Sequence, residues 1–413
     1  MKTSLRSAIV LGMLTVLAGC SSSDASAGGA ANAGNDAVEV YSWWTQPGER
    51  EALQALFDLY KGAHPDSDVY NAAATEHRDA AELKMRLAAH DPPELFQENA
   101  HNLRALLEEA PGSLQPLDGL FDQLGLRSAV FPEVMSDVTI GGVIYAMPVN
   151  LHRENTLFYS TTLLAQNQIP VPTSFPELLA ACEKLKLAGV TPIATSYQGW
   201  VQRIMFNSIA MGTMGAQKYY DFFHDGVSDP DALRAAVAAY ADILDKYTNA
   251  DASDPAVDWT KAADKLMNGE AAMFFHGDWT KGYFVQLGFS GDVDFGAVGA
   301  PGGSELFLYG ADTFALPVGA KHEQGARDFL RVVASPEGQL AFNAIKGSSP
   351  MRGDLKTAGF DDLAQSVLKS LKDAKLRMMV NSQQATDDAF GTFVLDRDQD
   401  ALYQVLSTTQ PAP

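Results

Sequence analysis

The chain has 413 residues, too many for one small module and enough for two bodies with separate cores. Hydrophobic residues at 46% and charged residues at 20% exclude a disordered or fibrous protein. With 30 Lys and Arg against 51 Asp and Glu the net charge is −21, which excludes nucleic acid as a partner, because phosphate contacts need a basic footprint.

In chain order, the first stretch reads as a processing segment and not as fold. Lys2 and Arg6 precede an apolar run, residues 8–17, too short to span a bilayer permanently. Leu17-Ala18-Gly19-Cys20 resembles the lipobox of bacterial lipoproteins, in which the cysteine becomes the lipid-modified first residue. That resemblance implies a signal peptide over 1–19, export, and a membrane anchor through Cys20. Residues 20–37 are rich in Ser, Ala, Gly, Asn and Asp and read as a flexible tether. Cys182 is the other cysteine, so with Cys20 lipidated no intramolecular disulfide forms.

From Val38 the pattern alternates as a strand and ends in Trp43-Trp44. Pro47-Gly48-Glu49 opens a helix with Leu53, Leu56, Phe57 and Tyr60 on one face, closed by Gly62 and Pro65. A short strand around Val69, a helix through Leu83, Met85 and Leu87, and a strand at Leu95-Phe96 follow, the last after the Asp91-Pro92-Pro93 break. This alternation predicts an α/β fold with a largely parallel sheet. Ligands of such sheets sit beyond the carboxyl ends of strands, where Trp43, Trp44, Gln97 and Asn99 lie. Further on, the patterns predict a strand over 143–149, helices over 174–187 and 233–247, and a buried strand over 271–275. Helices are expected again over 322–345 and 361–371, with a frayed tail after Thr408. Trp200 is expected in a polar loop, Gln198-Gly199-Trp200.

Signals for catalysis are missing. The eight histidines form no His-Glu-x-x-His, and neither a Gly-x-Ser-x-Gly elbow nor a phosphate-binding Gly-x-x-x-x-Gly-Lys loop occurs. Asp396, Asp398 and Asp400 open like a calcium loop, but Ala401 stands at its glycine position and Ser407 at its closing acid. No metal and no cofactor are expected. A glycoside hydrolase needs two carboxylates, and nothing among 51 acidic residues selects a pair.

Several segments together resemble the extracellular solute-binding proteins of bacterial ABC sugar importers, specifically the glucose/mannose-binding branch, over residues 38–390. They are Tyr41-Ser42-Trp43-Trp44, Asp91-Pro92-Pro93, Met147-Pro148-Val149-Asn150-Leu151-His152-Arg153-Glu154-Asn155 and Gly277-Asp278-Trp279. Ala311-Asp312-Thr313-Phe314-Ala315-Leu316-Pro317, Ser335-Pro336-Glu337-Gly338-Gln339 and Lys346-Gly347-Ser348 complete the set. The resemblance implies a two-lobed periplasmic-binding-protein fold with discontinuous lobes, three crossings and a hinge. Its lobes would be 38–149 plus 300–346 and 150–299 plus 347–408. A non-enzymatic function is implied: a sugar held between lobes that close on it and handed to permease subunits in the cytoplasmic membrane, by a protein acting as a monomer.

Sugars pair apolar C–H faces with a rim of hydroxyls, so their sites pair aromatic platforms with planar polar groups. By resemblance the ligand residues are Trp43, Trp44, Gln97, Asp278, Trp279, Asp312 and Lys346, with His152 at the first crossing and Trp200 as a roof. One of the tandem tryptophans is expected to face the core, yet replacing both by alanine is expected to abolish binding and spare the fold. Glu49 is expected to serve its helix N-terminus. Asn99 and Asn381 stand where the family commonly has charged donors, so a monosaccharide other than glucose, or a small glycoside, fits as well. The competing readings are a secreted glycoside hydrolase and a sugar sensor.

Overall fold

The computed structural model describes residues 37–73, 80–380 and 382–409. The signal peptide, Cys20, nearly all of the tether, Asn381 and the residues beyond Thr409 lie outside the described residues.

The first strand forms over Ala37–Tyr41, where alternation of Val38 and Val40 with polar neighbours meets a buried environment on both faces. It pairs in parallel with Asp68–Asn71 on one side and with Leu95–Asn99 on the other. Asp312–Ala315 then adds antiparallel to Leu95–Asn99, and Ala146–Pro148 antiparallel to Asp312–Ala315. The expected strand over 143–149 is therefore divided. Val143–Ile144 pairs instead with Thr139–Ile140, and only the part after Tyr145 enters the sheet. Helix Glu49–Ala63 covers this sheet with Leu53, Leu56, Phe57 and Tyr60 buried, the predicted face.

Gly48, at the N-cap of that helix, has φ of +84°, and a β-carbon there would lie 2.6 Å from the Gly282 carbonyl carbon. Both the left-handed backbone and the contact with another main chain require glycine. Gly48→Ala is expected to lower stability by about 2–3 kcal/mol in urea unfolding. A loss under about 0.5 kcal/mol would mean that the two backbones do not press together there.

A second sheet has the order Phe295–Gly299, Thr156–Ser160, Ala271–His276, Thr191–Ala194. Its central strand Ala271–His276 is buried along its whole length, as the apolar run predicts. Helix Phe175–Leu187 starts at Ser174, and the Glu177 carboxylate accepts from the Thr173 and Ser174 N–H groups. Helix Pro230–Tyr247 begins at Pro230, three residues before the predicted start, where Asp229 caps the Ala232 N–H. Between them lies Gly199–Met214, a helix buried on nearly every side, including Arg203, Asn207 and Ser208. With no polar face it has no helical periodicity to read, so Trp200 belongs to a first helical turn and not to a loop.

A three-stranded sheet, Leu376–Met379, Leu306–Gly310 and His152–Arg153, joins the two halves. Alternate side chains of its middle strand enter different cores: Phe307 and Tyr309 the first, Leu306 and Leu308 the second. The result is a two-lobed α/β arrangement whose halves are discontinuous in sequence. Segments 149–153 and 346–350, which run past this junction, pair with each other, Leu151 and Ser349 exchanging backbone hydrogen bonds of 2.8 and 2.9 Å. His152 and Lys346 thereby lie next to the junction. Among the described residues no helix is long and apolar enough to cross a membrane. Cys182 is buried with its thiol pushed up to about 12 by burial and the Glu183 charge, so it is unreactive.

Candidate binding site

Strand ends from both sheets converge on one cavity of about 430 Å³, inside the range of roughly 300–1,000 Å³ usual for small-molecule sites. Ala37–Tyr41 delivers Trp43 and Trp44, and Leu95–Asn99 delivers Glu98 and Asn99. The antiparallel register sets Asp312 opposite Asn99. Trp279 follows the end of Ala271–His276, and Trp200 and Trp259 open helices Gly199–Met214 and Trp259–Met267. The chain has five tryptophans, and all five line this cavity.

The tandem tryptophans are held from behind. With its amide oxygen toward the rings, the fully buried Gln97 accepts from the Trp44 indole N–H at 3.0 Å and the Trp43 indole N–H at 3.1 Å. Its amide nitrogen then donates to Ser42 Oγ at 2.5 Å. Turned the other way, the amide would set its own N–H groups against two N–H donors. Gln97 thus lies behind the cavity wall. Trp44 is 1% exposed and packs on Phe342 at 4.8 Å and Phe314 at 5.6 Å, while Trp43 is partly open.

The opposite wall is built around His276. Its ring stacks between Phe274 at 4.7 Å and Trp259 at 5.2 Å, with Trp200 and Trp279 edge-on at 5.1 and 4.9 Å. Burial, reinforced by the Lys346 and His152 charges, holds this imidazole well below its ordinary pKa and therefore neutral. Gly277 lets Trp279 fold back over its own turn, since a β-carbon there would lie 1.8 Å from the indole ring.

Between the walls run three charged groupings. Lys346 Nζ, 2% exposed, pairs with Glu49 Oε1 at 2.6 Å and sits 5.8 and 5.7 Å from the Trp44 and Trp279 rings. Glu49 is the first residue of its helix, as expected, and also lines the cavity. His152 bridges two carboxylates, Nδ1 to Asp278 Oδ1 at 2.6 Å and Nε2 to Asp312 Oδ2 at 3.1 Å. Burial alone would lower the His152 pKa, but the Asp278 charge and both hydrogen bonds outweigh it, so the ring is held above its usual value. Burial pushes Asp312 up, yet His152, Lys346 and Asn150 bring it below the usual carboxylate range. Asp278 lies behind this grouping, its second oxygen accepting from the Arg153 N–H at 2.8 Å. Finally, Arg203 donates to Glu154 at 3.0 Å and Asp387 at 2.8 Å.

The cavity thus collects Trp43, Trp44, Asn99, His152, Trp200, Trp279, Asp312 and Lys346 from the sequence-derived set, while Gln97 and Asp278 support it and Asn381 falls outside the described residues. Sequence reasoning missed Trp259, Arg203, Asp387 and His101. For Trp259 a signal existed: Asp258 caps the helix it opens. Among the described residues no cluster of His, Cys, Asp and Glu is arranged for a metal. The Asp396–Asp400 turn serves its helix, Asp398 capping the Ala401 N–H and Asp400 pairing with Arg234.

The model of a family described as bacterial extracellular solute-binding protein matches residues 55–366. An uncharacterized ABC transporter extracellular-binding protein of Pyrococcus horikoshii is 31% identical over 351 residues, covering 83% of this chain and 78% of that protein. A probable sugar-binding periplasmic protein of Brucella melitensis is 30% identical over 343 residues, with 82% and 80% covered. A xylose/arabinose-binding protein of Haloferax volcanii is 26% identical over 348 residues, with 82% and 74% covered. Among solved structures, the bacterial solute receptor AcbH, described as exclusively preferring β-D-galactopyranose, superposes with a TM-score of 0.77 at 16% identity, covering 91% of this chain and 98% of that one. The GacH receptor of Streptomyces glaucescens, solved unliganded and with acarbose, gives 0.73 at 20% identity, covering 90% and 97%. At these identities the structural likenesses speak for the fold.

Proposed function

The chain belongs to the bacterial extracellular solute-binding proteins, and from that premise we propose that it binds a sugar, a monosaccharide or small glycoside, in this cavity. One observation carries the reading: every tryptophan of the chain lines the same cavity, interleaved with charged and amide side chains. Indole faces match the C–H faces of a pyranose, and the rim of carboxylate, amide and ammonium groups matches its hydroxyls. Glu49, Glu98, Glu154, Asp312 and Asp387 outnumber Lys346, Arg203 and His152 around the cavity, which favours a neutral ligand over an anionic one. The names of the curated relatives support the same class.

The protein would then be the binding component of an ABC importer, exported, anchored through Cys20, and handing its sugar to permease subunits as a monomer. Lobes over 38–149 plus 300–346 and over 150–299 plus 347–408, hinged at the paired segments near Leu151 and Ser349, would close on the ligand.

Thermal unfolding of the soluble form beginning after Cys20, against glucose, mannose, galactose, xylose, common disaccharides and glucuronate, tests this. A ligand at a thousandfold excess over Kd stabilises by about 4 kcal/mol, a rise of several degrees at this size. One or more neutral sugars should give that rise together with a change in tryptophan fluorescence, and glucuronate should give neither. Silence from every neutral sugar would overturn the sugar reading.

A further inference from the structure

We propose that His101 is a ligand contact, its neutral imidazole donating the Nε2 hydrogen to a sugar hydroxyl oxygen; this rests on the sugar reading above. His101 lies in the 3₁₀ turn Ala100–Asn102 directly after strand Leu95–Asn99, and its ring lines the cavity. Its Nδ1 is enclosed by protein and meets no hydrogen-bond partner, whereas Nε2 is neither enclosed nor bonded to any described residue. A neutral imidazole has one N–H and one lone pair to distribute between those two positions. An enclosed, unsatisfied N–H is the costlier orphan, so the hydrogen belongs on Nε2, toward the open cavity.

The neighbouring polar groups are already engaged within the protein. Glu98 Oε1 holds the Asn102 amide and the Asn99 N–H, both at 3.0 Å. Arg203 is held by Glu154 and Asp387, and Asp312 by Asn150 and His152. His101 differs from these in that no described residue hydrogen-bonds either of its nitrogens. Burial, helped by the Arg203 charge and opposed by Asp312, pushes the ring down to about 3, so no proton uptake competes with its role as a neutral donor at pH 7. The ligand chemistry that fits is an uncharged hydroxyl oxygen acting as acceptor.

Two measurements on the soluble form beginning after Cys20 test the proposal. The first is ¹⁵N-histidine NMR of the ligand-free protein at pH 7, with His101 assigned by substitution. A neutral Nε2–H tautomer is expected, and an Nδ1–H tautomer or a charged ring overturns the assignment. The second compares wild type, H101F and H101Q by titration with glucose, mannose, galactose, xylose and common disaccharides. H101F should bind the best wild-type sugar of that set about tenfold more weakly, the effect of one neutral hydrogen bond. H101Q, whose amide nitrogen reaches the Nε2 position, should restore most of that loss. The ligand-free melting temperature of H101Q should stay near wild type, which a purely structural histidine would not allow. Unchanged sugar affinity in H101F overturns the proposal and leaves the sugar reading intact. Wild-type silence with all four sugars and the disaccharides overturns both, and it is recognisable because it needs no substitution.

Discussion

Arg203→Leu is expected to destabilise the protein by about 3–5 kcal/mol, the range for removing one partner of a buried ion pair. The guanidinium is 6% exposed and neutralises two carboxylates on separate elements, Glu154 beside strand His152–Arg153 and Asp387 on helix Gln384–Asp396. Leucine would fill part of the space but leave both carboxylates without their cation. Glu154 already has its pKa raised, because burial outweighs the help from Arg203. Without the guanidinium it rises further. A carboxyl with a raised pKa in the folded state binds its proton more tightly folded than unfolded, so the variant gains stability as the pH falls. The stability deficit should therefore be largest near pH 7.5 and shrink on acidification toward the ordinary carboxylate range. Urea unfolding of both proteins at pH 7.5 and pH 5 measures it. A deficit below about 1 kcal/mol, or one that grows on acidification, would mean that Glu154 and Asp387 find other compensation.

The difference between what could and could not be read from the residues has a physical origin. Ala37–Tyr41 and helix Glu49–Ala63 declare themselves because each has two unlike faces, and period 2 or 3.6 is the record of that. Ala271–His276 declares itself by length, being an apolar run bounded by turn residues. Helix Gly199–Met214 has no unlike faces, and with it went Arg203, which projects from its second turn into the cavity. The charged groupings fail for another reason. Glu49 and Lys346 are 297 positions apart, and Arg203 and Glu154 are 49 apart, so nothing local ties an acid to its base. The family-like segments carry His152, Trp279, Asp312 and Lys346, all of which line the cavity, and their partners become visible only when the strands are assembled. Gln97 is the intermediate case. Its position at a strand end is legible, but its service to two indole N–H groups from behind is a matter of which way one side chain points.

Trp43 and Trp44 are expected to respond differently to alanine, although they are adjacent in sequence and hydrogen-bond the same Gln97 oxygen. Trp44 is a core residue at 1% exposure, clamped by Phe314 and Phe342, with the Lys346 ammonium 5.8 Å from its ring. Trp44→Ala should cost about 3–5 kcal/mol of stability, the range for emptying a buried aromatic site. The expectation that both tryptophans can be removed without harm to the fold is therefore corrected, since half of that pair is structure. Trp43 is partly open to the cavity, and its loss should leave the melting temperature within a few degrees of wild type. If a sugar covers about 60 Å² of its indole face, roughly 25 cal/mol/Å² gives about 1.5 kcal/mol, close to a tenfold weaker Kd. Urea unfolding and sugar titration of each single variant separate the two roles. Near-wild-type stability in Trp44→Ala would contradict the packing. Undiminished affinity in Trp43→Ala would move the stacking platform to the opposite wall, where Trp200, Trp259 and Trp279 surround His276.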